Sequence, residues 1–243
     1  MLVKLRARSL DIDFFAPLEL ALLSNIIRAM RGDVGWEPAE SRAWLKIVER
    51  YGTGRFLDVG ANIGHYSILL AKAGCNVYAI EPIKEIAEAL NLTADYNDLP
   101  VEVDPRAVWS ETGKKIRIFF NVLDQLSGGS MTAMRLNDVF TREVETVALD
   151  DLELDDVKYV KVDVEGSEEF VLAGASKLLE SDVIWMVEYN PAYHKESLLE
   201  FFDGYQLFDA QLRPFDRRSV QTVEGKDVIN IFASKEDLSR LRR

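Results

Sequence analysis

The chain has 243 residues, with 41 Asp and Glu against 29 Lys and Arg, two histidines and a formal charge of −12. That balance argues against nucleic acid as a partner, because phosphate binding rests on clustered Lys and Arg. The length suits one domain with trimmings, and the lone Cys75 supplies neither a disulfide framework nor a metal cluster, which fits a cytoplasmic protein.

Residues 1–54 read as an N-terminal helical extension. Lys4, Arg6 and Arg8 ahead of the apolar stretch Phe14 to Met30 imitate a signal peptide. Asp11, Asp13, Pro17, Glu19 and Arg28 interrupt that stretch, and no small-x-small cleavage site follows. It is also too short and too polar to span a bilayer. Leu18, Leu22, Ile26 and Met30 mark one face of an amphipathic helix, and a second helix is expected from about Pro38 to Arg50 with Trp44, Ile47 and Val48 inward. Such helices cap a sheet, roof a ligand or make a homodimer contact.

Arg55 to Pro82 (RFLDVGANIGHYSILLAKAGCNVYAIEP) organises the rest. Phe56, Leu57 and Val59 suit a strand buried on both faces of a parallel sheet. Gly60-Ala61-Asn62-Ile63-Gly64 breaks it with turn-permissive residues. Tyr66, Leu69, Leu70 and Ala73 keep helical spacing up to a capping Gly74. Asn76 to Ile80 is a second strand, with Glu81 at its carboxyl end. This is the opening of a doubly wound α/β domain, whose ligands bind at the carboxyl ends of the strands. A dinucleotide fingerprint needs a third, phosphate-cradling glycine, and here only Gly60 and Gly64 are present. The acid after the second strand, Glu81, is in place to accept hydrogen bonds from two ribose hydroxyls, and Asp58 adds negative charge nearby. A cationic nucleoside without phosphates points to S-adenosylmethionine. Tyr66, Ser67 and the start of the helix could receive its carboxylate, since free N–H groups and the helix dipole favour an anion. His65, beside the turn, is a site candidate or a surface histidine.

Pro82 fits the first position of a helix that continues through Ile83, Ile86, Ala87, Leu90 and Ala94. Val101 to Val103 is a short strand, followed by Arg106-Ala107-Val108-Trp109-Ser110. Ile116 to Phe120 is another apolar run. Ser127 to Met131 holds two adjacent glycines, as a lid, a substrate contact or a mobile surface loop would. Val144 to Leu149 alternates as a strand. In Tyr159 to Glu165, period-two geometry puts Lys161, Asp163 and Glu165 on one side and Val160, Val162 and Val164 on the other. In a central strand those charges cannot stay buried unpaired. Glu168 and Glu169 open a helix, where acids are favoured anyway. Val183 to Val187 is an inner parallel strand ending in Glu188-Tyr189-Asn190-Pro191, with Tyr193 and His194 beyond. Tyr205 to Ala210 and Asp227 to Ala233 read as two more strands, and 235–243 as a polar tail.

The motifs D-V-G-A-N-I-G-H-Y-S, I-E-P, A-V-W-S, L-D-D, K-V-D-V-E-G-S-E and V-L-A-G-A, in this order from Phe56 to Glu188, resemble the FkbM-type methyltransferases. The resemblance implies a class I fold over 55–234: a doubly wound, mostly parallel seven-stranded sheet with an antiparallel last strand. It places Asp163 and Glu165 on a central strand facing the glycine turn, and Ala107 and Val108 beside the adenine. The expected cofactor-binding set is Asp58, Gly60, Ala61, Asn62, Gly64, Tyr66, Ser67, Glu81, Pro82, Ala107, Val108 and Asp163, with S-adenosylhomocysteine as the product. The expected reaction is O-methylation of a sugar or small-metabolite hydroxyl, with His194, Asp163 and Glu165 as catalytic candidates and His65 as a further base. Histidine titrates near neutrality, which favours His194 over a carboxylate at its ordinary pKa. No metal is required, although Asp163 and Glu165 offer ligands for magnesium. A nicotinamide-dependent oxidoreductase and a catalytically silent cofactor-binding protein are the alternatives.

Overall fold

In the computed structural model, residues 1–18, 21, 25–121, 139–190, 197–215 and 229–242 are described. The extension opens differently from the expectation of helices alone. β1 (Leu2–Ala7) and β2 (Ile12–Pro17) form an antiparallel hairpin closed at Asp11, which has φ 52°. Ile12, Phe14 and Ala16 alternate as buried residues, a period of two that only a strand presents to one side. α1 (Asn25–Arg31) and α2 (Pro38–Tyr51) follow. Trp44, Ile47 and Val48 of α2 are buried as expected. The Trp44 ring meets Phe56, Tyr159 and Phe232 edge-on at 5.4, 5.8 and 5.2 Å.

The central sheet draws on β3 (Arg55–Val59), β4 (Asn76–Ile80), β5 (Val101–Asp104), β9 (Val157–Val162), β10 (Ile184–Tyr189), β11 (Gln206–Phe208) and β12 (Ile229–Ser234). Its order is β11-β12-β10-β9-β3-β4-β5. β12 alone runs antiparallel to its neighbours β10 and β11, and the pairs β10–β9, β9–β3, β3–β4 and β4–β5 are parallel. The order reverses between β3 and β9, the crevice where such sheets bind ligands.

Both faces of the sheet are covered. α2, α3 (His65–Lys72) and α4 (Lys84–Tyr96) lie over the face that carries Phe56, Tyr159 and Phe232. α5 (Glu168–Ala173), α6 (Ser176–Glu180) and α7 (Ser197–Glu200) lie over the face that carries Leu57, Val160 and Trp185. α4 starts at Lys84, two residues past Pro82. The hairpin docks on α4: Phe15 N donates to Thr93 Oγ1 at 2.9 Å and Asn97 Nδ2 to Asp13 O at 2.6 Å. A smaller sheet joins β6 (Ala107–Val108), β7 (Lys115–Asn121) and β8 (Val139–Val147) in the order β6-β8-β7, so Ala107-Val108 is a paired strand. The terminal segment also packs. Leu238 is fully buried and Lys46 Nζ of α2 donates to Leu241 O at 2.8 Å. Ser127–Met131 and His194 lie outside the described residues. Among the described residues, no helix is long and apolar enough to cross a membrane.

Candidate active site

The turn after β3 is forced by packing. Gly60, Asn62 and Gly64 have φ of 74°, 52° and 85°, and a Cβ on Gly60 would sit 1.9 Å from the carbonyl oxygen of Asp163. A side chain there would push β9 away from the tip of β3. Gly60 N and Ala61 N both donate to Ile80 O, at 3.0 and 3.1 Å, tying the turn to the end of β4. Asn62 tolerates its left-handed backbone with help from its own side chain, whose Oδ1 accepts from Ile63 N at 2.8 Å.

Glu81 is 6 % exposed. Its Oε2 accepts from Asn62 N at 2.9 Å and its Oε1 from Ile83 N at 2.8 Å. These bonds fix the carboxylate and leave one lone pair free on each oxygen. Burial pushes its pKa up to about 7 against the pull of those two donors.

Beside the turn, Asp58 and Lys161 face each other across the β3–β9 pair. Both are buried, at 1 % and 4 % exposure. The Lys161 ammonium lies 3.8 Å from Asp58 Oδ1 and 3.1 Å from Asp163 Oδ2, and donates to Gly60 O at 3.3 Å. The carboxylates around it keep Lys161 charged, with its pKa raised despite burial. Ser67 Oγ donates to Asp58 Oδ2 at 2.6 Å. Asp58 and Ser67 thus brace the cavity wall from behind; neither lines it. The expectation that a central-strand charge must be paired is met by Lys161, which sits between Asp58 and Asp163.

The cavity itself measures about 860 Å³ and opens along the carboxyl ends of β3, β4, β9 and β10 and the amino end of the antiparallel β12. Gly60, Ala61, Asn62, Tyr66, Glu81, Pro82, Ala107, Val108, Asp163 and Glu165 line it, with Glu188 at the end of β10 and the unforeseen Trp36, Glu37, Glu40, Trp109, Lys161 and Asn230. Gly64 does not line it; a Cβ there would meet Leu90 Cδ1 at 2.1 Å, so its role is to let α3 pack on α4. Trp109 stacks on Phe170 at 4.0 Å and 13°.

Acidic residues from separate parts of the chain line the cavity. Glu37, at φ 42° ahead of Pro38, accepts from Tyr66 Oη at 2.5 Å and from Asn230 Nδ2 at 3.2 Å. A left-handed residue before proline costs about 1–3 kcal/mol, and the three-element clamp holds it. The signal for it in the sequence was the Gly35-Trp36-Glu37-Pro38 turn between two helices. Asp163, Glu165 and Glu188 bring carboxylate oxygens within 4.8 Å of one another, a set able to hold a cation. Burial, then Asp163, Glu165 and Glu168, pushes the Glu188 carboxyl up to about 10. Glu168 is a brace: its carboxylate accepts from Val164 N at 2.9 Å and Gly166 N at 3.0 Å.

His65 lines the cavity as a weakened base. Burial, then the Lys161 charge, lowers its pKa to about 4, and its Nε2 lies 2.9 Å from Ser41 Oγ, which donates to Trp36 O at 3.1 Å.

A parallel sheet with one antiparallel strand, a glycine turn without a phosphate cradle and a buried acid after β4 define a class I methyltransferase fold. Residues 58–211 match the Methyltransferase FkbM domain family, and the chain belongs to that family. The family uses S-adenosylmethionine, and the residues present fit it: Glu81 offers two free lone pairs at the wall of a cavity large enough for a nucleoside. Among solved structures, the chain is similar to an O-methyltransferase dependent on S-adenosylmethionine from Thermotoga maritima, at 14 % identity and TM-score 0.50, over 92 % of this chain and 73 % of that one. It is also similar to the methyltransferase FkbM of Methylobacillus flagellatus, at 20 % identity and TM-score 0.47, over 74 % of this chain and 43 % of that one. A third is a T. thermophilus 16S rRNA N2 G1207 methyltransferase in complex with AdoMet and guanosine, at 14 % identity and TM-score 0.49, over 97 % of this chain and 50 % of that one. The chain therefore spans less than half the length of the FkbM structure it matches. No curated protein sequence matches it.

Proposed function

We propose that the protein O-methylates a hydroxyl of a sugar or small metabolite. The observation that carries this reading is one continuous cavity that holds two chemically different sets of residues. Glu81, Ala107 and Val108 line it, and so do Glu37 and the carboxylate cluster of Asp163, Glu165 and Glu188. At about 860 Å³ it lies in the upper part of the ~300–1,000 Å³ range of small-molecule sites, which leaves room for an acceptor beside the cofactor.

S-adenosylmethionine supplies an electrophilic methyl group when bound. Glu81 would hold the ribose hydroxyls with its two free lone pairs. Ala107 and Val108 would flank the base, and the turn through Ala61 and Asn62 with Tyr66 would receive the amino-acid end. Asp58, Ser67 and Gly64 would act from behind, by fixing that turn. Holding donor and acceptor in line is worth ~7–11 kcal/mol of barrier, and a placed base roughly 10²–10⁴-fold, so positioning dominates. Asp163, oriented by Lys161, and Glu165 are the carboxylates suited to orient the acceptor hydroxyl. His194 remains the candidate base, because burial lowers the pKa of His65 to about 4 and makes it a weaker proton acceptor than a histidine that titrates near neutrality.

The test is transfer of radiolabel from S-[methyl-³H]adenosylmethionine into fractionated small metabolites and sugars. Label in an acid-stable, base-stable ether supports the reading. Label confined to RNA, protein or carbon-bound methyl groups contradicts it. Cofactor binding without any transfer favours the catalytically silent alternative.

A further inference from the structure

A second concavity, of about 590 Å³, lies between the N-terminal hairpin and α1. Lys4, Arg6, Arg8, Arg28 and Arg31 all line it, with Leu5, Ala21 and Ile27 as its apolar floor. This is a local reversal of sign. Residues 1–31 hold five Lys and Arg against three Asp and Glu in a chain of net charge −12. Lys4 and Arg6 are engaged by Asp11 and Asp13 of the same hairpin. Arg8, Arg28 and Arg31 are exposed and have no carboxylate partner among the described residues; Arg28 donates to Asn25 Oδ1 at 3.2 Å. Arg28 and Arg31 are three apart on α1, so they project from one face of the helix.

Uncompensated guanidinium groups lining one concavity repel each other unless an anion enters, and their planar forks match phosphate oxygens. We infer that the groove between the hairpin and α1 binds a phosphate-bearing group. A concave site of this size fits a discrete headgroup or phosphate better than an extended duplex. α1 is the wall it shares with the catalytic cavity: Asn25 and Ile26 line that cavity, and Ile27, Arg28 and Arg31 line the groove. The groove is separate from the methyl-transfer chemistry, and its test needs no activity.

The probes are inorganic pyrophosphate by calorimetry, and phosphatidylglycerol against phosphatidylcholine vesicles by co-sedimentation. Each is run on the wild-type chain, on the R8Q/R28Q/R31Q variant, and on K84Q/K114Q/K115Q, which removes the same charge from exposed lysines elsewhere. The expected result is binding that the arginine triple weakens at least tenfold and the lysine triple leaves within twofold. Binding of pyrophosphate assigns a soluble source; binding of phosphatidylglycerol vesicles alone assigns a lipid headgroup. No binding of either probe, or equal loss in both triples, overturns the inference. Tighter binding of a single-stranded RNA than of both probes overturns it in favour of a nucleic-acid surface.

Discussion

Affinity for S-adenosylhomocysteine is expected to rise with pH through the titration of Glu81. The carboxyl is pushed up to about 7 by burial, from an ordinary value of 4.5. The folded pKa is raised, so its contribution to stability is fully present below about 4.5 and lost as pH rises through about 7. The free protein is then destabilised by about 3 kcal/mol over that window, at ~1.4 kcal/mol per pH unit. Ribose hydroxyls need an ionised acceptor to use both oxygens. With a pKa near 7, roughly a tenth of the carboxylates are ionised at pH 6 and roughly nine-tenths at pH 8, so affinity should differ about tenfold between them. Calorimetric titration at pH 6, 7 and 8 in buffers of different ionisation enthalpy measures both the affinity and the proton released on binding. Glu81→Gln should flatten the profile and weaken binding at pH 8 at least tenfold, the scale of a lost hydrogen bond to a charged group, about 1.5–3 kcal/mol. Affinity constant from pH 6 to 8 without proton release, and unchanged in Glu81→Gln, would refute the assignment.

Three further outcomes follow from the packing. Gly60→Ala, whose Cβ would lie 1.9 Å from Asp163 O, should cost about 3 kcal/mol, whereas Gly113→Ala, with φ 77° and nothing within 4 Å, should cost about 1 kcal/mol; equal melting temperatures would show that the turn does not press on β9. Lys161→Met should destabilise by about 3–5 kcal/mol, since it strands Asp58 and Asp163, and adding Asp58→Asn should recover part of the loss in chemical denaturation. If the single variant unfolds at the wild-type midpoint, the buried pair is not holding the wall. Glu188 is raised to about 10 by burial and its acidic neighbours, so its stability contribution is lost as pH rises from about 5 to 10; Glu188→Gln should gain on wild type across that range by up to ~1.4 kcal/mol per pH unit, and parallel stability profiles would contradict this.

The parallel core was legible because its strands are buried on both faces and are dominated by apolar residues, as in Phe56, Leu57 and Val59 and the unbroken run Val183 to Val187. The glycine turn and Glu81 were legible because backbone geometry and a strand-end acid leave few chemical options. The hairpin was not. Lys4, Arg6 and Arg8 drew attention as a charge run, while Ile12, Phe14 and Ala16, buried alternately, carried the strand period inside an apolar stretch that also fits a helix. Glu37 was hidden because its place in the site depends on Tyr66 and Asn230, 29 and 193 residues away. Lys161 was seen on the correct strand, but its partner Asp58 is defined only by the β3–β9 register. For His65 the sequence suggested a titrating base, and burial among α2 and α3 removes that property.

The most direct measurement is a crystal structure with S-adenosylhomocysteine bound. Both ribose hydroxyls should lie within hydrogen-bonding reach of Glu81, the adenine against Ala107 and Val108, and the sulfur pointing toward Asp163 and Glu188. A ribose held elsewhere, with Glu81 still bonded only to Asn62 N and Ile83 N, would contradict it.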